Sequence, residues 1–495
     1  MKPISQVISE KPWLGWVIFG VTVVVVFLFG LLASSIIERR AEAVFVNTPK
    51  VKLADYEPRN EEWAKNYPRE YQSYMETADT TFLSAYNGNA PIDLLERHPE
   101  MVVLWAGYAF SKEYTQARGH YYAVKDISTS LRTGAPMNPS DGPQPSTCWT
   151  CKSPDVPRIM EKIGPDSFYH NKWAAMGPEI HNFIGCADCH DPKTMNLRIT
   201  RPALVEAFQS MGKDITKATH QEMRSLVCAQ CHVEYYFKGD KKYLTFPWKN
   251  GLSAENAEAY YDSLNFSDWT HALSRAPMLK AQHPDFEVFS TGIHAQRGVS
   301  CADCHMPYKS EGGQKFTDHH IQSPLNNISN SCQVCHRQSE EELMRNVNDR
   351  HQKVMEVRKK LEVALVRSHV EAKAAWDHGA TEEMMKPVLN LIRKAQWRWD
   401  YVAAGHGNAF HSPTEMSRLA GDGIDLAQEA RVKLAKILSK LGVDGEIPYP
   451  DISTKAKAQK YIGLDMAKLR AEKAEFNKVI LPQWDQKAKE REAKY

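Results

Sequence analysis

Apolar and polar positions are arranged differently in three parts of the chain. Near the N-terminus, Leu14 to Ile37 is an uncharged run of 24 residues, long enough to cross a bilayer as one helix. From residue 61 to 340 no long periodic segment occurs, and most of the proline and glycine lies there. That pattern predicts a loop-rich body with short helices. Beyond Glu340 the pattern becomes helical. Val354, Val357, Leu361 and Leu365 recur at helical spacing among charged residues, predicting a first helix over Glu340–Ala374. A second is expected over Glu382–Val402. A third should start at Ser412-Pro413-Thr414-Glu415, with Ser412 capping, Pro413 in the first turn and Glu415 completing a capping box. It should end near Gly442. A fourth is expected over Lys455–Lys478.

These segments divide the chain into an N-terminal signal-anchor or signal peptide (1–40), a polar linker (41–60), a body (61–340) and a helical region (341–495). The fold class expected is mainly α with little β. Two readings of the N-terminal run compete. One is a retained anchor. The other is a signal peptide cleaved, for example, after Ala33 or Ala43. Its length exceeds that of an ordinary signal-peptide core, which favours the anchor. Lys2 and Lys11 precede the run and favour an N-terminus on the inner side, although Arg39 and Arg40 follow it. Either reading sends the body across the membrane.

Charge adds little. The 62 basic and 60 acidic residues leave a net charge of +2, so nothing favours nucleic acid or an anionic surface. The chemistry lies in 10 cysteines and 19 histidines. An exported chain with many cysteines ordinarily suggests disulfides, but here every cysteine sits three residues from one partner. The pairs are Cys148-Trp-Thr-Cys151-Lys152, Cys186-Ala-Asp-Cys189-His190, Cys228-Ala-Gln-Cys231-His232, Cys301-Ala-Asp-Cys304-His305 and Cys332-Gln-Val-Cys335-His336. Two thiols one turn apart can form thioethers to the two vinyl groups of a haem, and the next histidine then lies below the iron. Zinc ribbons also use such pairs, but in twos, and they do not require an adjacent histidine. The pattern therefore predicts five covalently bound haem c groups. Four have a histidine ligand and can take a second one from elsewhere, which suits electron transfer. The fifth ends in Lys152. An ammonium must lose a proton to bind metal: either iron drives that loss and the departure marks a specialised haem, or Lys152 is a surface charge and another residue ligates.

This arrangement of CWTCK followed by four CxxCH motifs resembles the pentahaem cytochrome c nitrite reductases, which reduce nitrite to ammonium. The resemblance runs from about Tyr56 into the C-terminal helices. It includes Arg118-Gly-His120, Leu131-Arg132-Thr-Gly, Cys231-His-Val-Glu-Tyr235-Tyr-Phe, Lys280-Ala-Gln-His283-Pro, Gly292-Ile-His294, Thr317-Asp-His319 and Phe410-His411-Ser-Pro. It implies that the Lys152 haem is catalytic, with Arg132, Tyr235 and His283 around the substrate. It also implies one calcium ion, held by the Glu234 carboxylate, the Tyr235 and Lys280 carbonyls and the Gln282 side chain, all oxygen donors. The second histidine ligands implied are His319 for the haem at Cys186/Cys189 and His120 for that at Cys228/Cys231. His411 would serve Cys301/Cys304, and His294 would serve Cys332/Cys335. His320 and His406 are rivals to His319 and His411. His98, His170, His351 and His369 read as ordinary surface or core residues.

The same resemblance implies a periplasmic location, a homodimer through the long helices and a membrane quinol-oxidising multihaem cytochrome as electron donor. Two other readings are a non-enzymatic electron conduit and a multihaem reductase acting mainly on hydroxylamine or sulfite.

Overall fold

The computed structural model describes residues 8–43, 49–86 and 88–494, with side chains from 8–37 in the first of these segments. Helix accounts for 60% of the structure and strand for 5%, so the fold is mainly α. The first helix, α1, spans Pro12–Ala43. Its apolar side chains are exposed, and Pro12–Ile37 is long and apolar enough to cross a membrane. The helix extends into the expected linker, of which residues 44–48 lie outside the described residues.

Three long helices follow the body: α2 (Glu340–Asp377), α3 (Glu382–Ala404) and α4 (Pro413–Lys440). Each periodic stripe becomes a buried face. Val354, Leu361 and Leu365 on α2 are fully buried, as are Val388 and Ile392 on α3 and Leu419 and Leu434 on α4. Caps and first-turn charges set the starts. Ser339 Oγ accepts from Glu342 N at 3.2 Å, and three glutamates occupy that first turn, which favours the helix dipole. Gly423 lets α4 approach closely, because a Cβ there would stand 2.6 Å from Leu361 Cδ2 and 3.3 Å from the Ala395 carbonyl. Truncating Leu361 would leave a cavity at this crossing and cost about 2–5 kcal/mol.

Two expectations about the helices fail. Ser412 precedes α4, but its hydroxyl makes no cap. It pairs instead with Thr291 Oγ1 at 2.9 Å, while Glu415 binds Arg418, so the capping box is lost to side-chain partners. The expected fourth helix is two, α5 (Lys455–Tyr461) and α6 (Met466–Val479). Gly463 takes a φ of 80° between them, a conformation that ends a helix, and Asp465 caps the restart through Lys468 N at 3.0 Å. A further helix, α7 (Leu481–Glu492), has too polar a sequence to be read as an amphipathic stripe.

The body between α1 and α2 contains short helices and three two-stranded antiparallel hairpins. Two cores organise it. One joins Leu95–Ala106 and the Trp269–Leu279 segment to the faces of α2, α3 and α4. The other gathers Trp149, Phe168, Trp173, Leu204 and Trp248 around Phe476 of α6. The helical region therefore completes cores that the body begins.

Candidate functional site: a chain of haem pockets

None of the ten cysteines is disulfide-bonded. A single cavity of about 1910 Å³ runs through the body, and every CxxC motif contributes to its wall. Four of the motif histidines face a distant histidine across it. The ring centroids of His190 and His319 are 6.2 Å apart, and those of His232 and His120 are 6.5 Å apart. His305 and His411 are separated by 6.3 Å, and His336 and His294 by 6.2 Å. An iron between two imidazoles, with metal–nitrogen bonds of about 2 Å, places the ring centres roughly 6 Å apart. The donor set and spacing thus fit haems with two histidine ligands.

Hydrogen bonds orient these rings. His190 Nδ1 lies 2.8 Å from the Met195 carbonyl, His305 Nδ1 2.8 Å from the Gln322 carbonyl and His319 Nδ1 2.8 Å from the Thr317 carbonyl. A carbonyl only accepts, so each Nδ1 carries the proton and Nε2 keeps its lone pair for metal. Burial lowers His120 to about 3 and His190 and His411 to about 4, holding the neutral form that ligation needs. The rivals have other neighbours, although His406 also lines the cavity. His320 Nδ1 lies 3.3 Å from Glu76, and the His406 ring packs on Tyr114 at 6.1 Å. Of the other histidines, His351 stacks on Tyr86 and His369 is buried between Ser274 and Gln396.

The Lys152 motif is built on a short turn, Ser146–Trp149. Trp149 is fully buried and stacks on Trp173 at 4.8 Å. Arg201, invisible to motif reasoning, holds this segment from behind. It donates to the Thr150 carbonyl at 3.0 Å and the Ser153 carbonyl at 2.9 Å. It also pairs with Asp188, inside the second motif, at 2.6 Å. Both ions are buried, so losing either partner would cost about 3–5 kcal/mol. The only hint of this in the sequence is the acidic residue within CADC.

The surroundings of Lys152 are more varied. Arg132 and His283 line the same cavity; Lys152 and Arg132 both act on the Cys148 thiol, and Lys152 lies within electrostatic reach of His283 and His120. The Arg132 guanidinium lies 4.5 Å over the Phe110 ring, and its Nε donates to Ser130 Oγ at 3.3 Å. Tyr235 is an electrostatic neighbour of Cys148 and Cys151, and burial raises its phenol well above the ordinary range, keeping it protonated. His283 Nδ1 lies 2.8 Å from Asp285 Oδ2, and the same carboxylate oxygen is 3.1 Å from His232 Nδ1. Asp285 therefore bridges a residue of the Lys152 pocket to the motif histidine of a neighbouring pocket. Its carboxyl is held well below the usual range by His283 and His232, despite burial.

Behind this wall lies a buried acidic cluster. Glu234 Oε2 accepts from Gln282 N at 2.6 Å, and Oε1 accepts from Tyr261 at 2.8 Å. Burial raises Glu234 well above the carboxylate range, Glu287 to about 8 and Asp268 to about 7. Glu287 Oε2 is buried with no hydrogen-bond partner among the described residues. Lys280 Nζ, 2.8 Å from Asp400, is already paired. An excess of buried oxygen donors over cations fits a hard metal ion. The Gln282 side chain engages Tyr108.

The thiols also reveal which pockets adjoin. Cys151 contacts Cys231, and Cys228 contacts Cys301. Cys304 neighbours Cys332, and Cys189 neighbours Cys231. The pockets thus run from Lys152 through the Cys228/Cys231 and Cys301/Cys304 sites to Cys332/Cys335, with the Cys186/Cys189 site as a branch.

The family model described as cytochrome c552 matches residues 59–493. Cytochrome c-552 of Parabacteroides distasonis is 62% identical over 481 residues, covering 97% of each chain. That of Desulfotalea psychrophila is 48% identical over 94% of this chain and 92% of its own. The structure is also similar to the cytochrome c nitrite reductase of Desulfovibrio desulfuricans ATCC 27774, a catalytic subunit described with two calcium sites. That match has a TM-score of 0.73 at 30% identity, covering 80% of this chain and 90% of that one. Five attachment motifs, four facing histidine pairs and a match along nearly the whole body agree: the chain belongs to the cytochrome c552 family.

Proposed function

We propose that this chain reduces nitrite to ammonium, taking six electrons per nitrite, at the site marked by Lys152. The observation that carries this reading is the contrast within one cavity. Four motif histidines face a partner imidazole, whereas the Lys152 motif has Arg132 and His283 among its charged and titratable neighbours. The ten motif cysteines would attach five haems c. His190, His232, His305, His336 and Lys152 would be their near ligands, and His319, His120, His411 and His294 the far ligands of the first four. When bound, the haems supply electrons and, at Lys152, an iron with a position open to substrate.

The protein side chains supply the rest. Nitrite is an anion, so the Arg132 guanidinium attracts and orients it. Phe110 beneath the guanidinium limits its hydration and fixes its plane. The reaction consumes protons. Tyr235 holds a proton at its phenol oxygen, and His283 can hold and pass one at the ring nitrogen turned away from Asp285. Burial lowers the imidazole's affinity for a proton, and Asp285 partly offsets that while keeping the ring in place. One calcium at Glu234, with the Tyr235 and Lys280 carbonyls and the Gln282 side chain, would neutralise the buried acids and stiffen the segments carrying Tyr235 and His283.

The proposal extends to a periplasmic location, a homodimer through the long helices and a membrane quinol-oxidising multihaem cytochrome as donor. If α1 is retained, it would hold the subunit beside that donor. The test is steady-state turnover of the purified holoprotein with reduced viologen. Ammonium should appear in proportion to nitrite consumed, and its absence would sink the proposal. A haem stain of the denatured chain checks covalent attachment separately.

A further inference from the structure

Lys473 lies on α6 and is 4% exposed. Its ammonium donates to Thr133 Oγ1 at 3.0 Å and to the Gly134 carbonyl at 2.8 Å. It also stands 4.3 Å from the Phe476 ring centroid and 5.7 Å from that of Trp173. Among the described residues it forms no ion pair, and Glu113 is the acid that acts on it at longer range. Burial brings the amine down to about 7. An amine buried against neutral acceptors costs stability, and a methionine would fill the same space without that cost. Packing alone does not account for a lysine here.

What its two acceptors share is their place in the chain, directly after Arg132. Residues Leu131–Thr133 form a single 3₁₀ turn closed by Gly134 at a φ of 69°. One turn has no ladder of backbone hydrogen bonds to hold it, so side chains reaching in set its position. Glu113 Oε2 accepts from Leu131 N at 2.8 Å, and Gln144 Nε2 donates to the Arg132 carbonyl at 3.3 Å. Lys473 closes the other side, from a helix more than 300 residues away in sequence. The same C-terminal helices press on the Lys152 motif. Phe476 and Trp484 pack against Trp173 at 6.0 and 5.3 Å, and Trp173 stacks on Trp149, between Cys148 and Cys151.

We propose that Lys473 is a positioning residue that fixes the Arg132 turn over the pocket, so that the C-terminal helices tune affinity for the anionic substrate. The proposal rests on the reading of Arg132 as the nitrite-binding residue. Nitrite depends on the guanidinium's charge and position, whereas uncharged hydroxylamine depends on it far less, so a displaced Arg132 should affect the two substrates unequally.

The experiment uses five-haem holoprotein with reduced viologen and measures KM and kcat for nitrite and for hydroxylamine. Lys473→Met should raise the nitrite KM about tenfold, change nitrite kcat less than about threefold and leave the hydroxylamine KM within about twofold. Lys473→Arg, which keeps charge and donors, should restore most of the nitrite affinity. Lys473→Leu, which also removes every donor, serves if the methionine variant fails to assemble. A nitrite KM within about twofold of wild type in the methionine or leucine variant would overturn the proposal. So would equal losses on both substrates, which would mark a purely structural lysine. Arg132→Gln separates the two claims. If it leaves the nitrite KM unchanged, the reading of Arg132 fails. If it raises the KM while Lys473→Met does not, only the positioning role fails.

Discussion

The four pockets that end in histidine and the one that ends in lysine are built from nearly the same local motif, yet the fold surrounds them differently. Around each CxxCH, the chain returns from a distant segment to set a second imidazole 6.2–6.5 Å from the first. Around Lys152 it returns with a guanidinium over an aromatic ring and an imidazole backed by a carboxylate. A metal with two imidazoles is closed to substrate and changes little as electrons pass. A site flanked by a fixed cation and proton donors suits an anion that must be protonated. On the proposed reading, similar attachment chemistry would be directed to transport or to catalysis by what the tertiary structure brings opposite.

The largest test of this contrast is to erase it. Lys152→His should keep covalent haem but lower nitrite turnover by about 100-fold or more. Near-normal turnover, measured as ammonium formed per haem-loaded chain, would refute a special role for the lysine. Next is the bridge between the two kinds of pocket. Asp285→Asn removes the anion shared by His283 and His232, and kcat should fall about 10- to 100-fold. Electron paramagnetic resonance should at the same time show an altered signal from the haem at Cys228/Cys231, and an unchanged spectrum would confine Asp285 to the Lys152 pocket. A smaller effect separates neighbouring histidines. His319→Ala should open a second high-spin ferric haem and slow turnover severalfold, whereas His320→Ala should leave the spin states alone. The reverse outcome would exchange their roles. The smallest effect expected is that of calcium. Chelation should lower the melting temperature by about 2–4 °C and activity severalfold, with recovery on adding calcium back. Glu234→Gln should make the protein indifferent to both treatments.

Much of this architecture is legible in the amino-acid sequence. The three long helices follow from periodicity, because their stripes face a core at helical spacing. The five attachment motifs are local, since two thiols and a ligand must lie within one turn to reach one haem. The break at Gly463 escapes a reading of periodicity because a glycine in a helical pattern is often tolerated. Helix α7 escapes it too, because it packs through Trp484 at one end and otherwise carries charge. Arg201 does not stand out, because an arginine before a helix looks like a surface charge until the fold buries it against Asp188. The same holds for Lys473, which among lysines and glutamates on α6 reads as part of a solvated face.

By itself, then, the sequence determined what the chain can attach: thiol spacing and the residue after each pair are short-range covalent constraints. It also determined the helices, whose hydrogen bonds are local. The tertiary structure decided what stands opposite each attachment point. The pairing of His190 with His319, the bridge of Asp285 and the clamp of Lys473 on the Arg132 turn join segments far apart in the chain. Such contacts depend on how whole cores pack, and no local pattern encodes them.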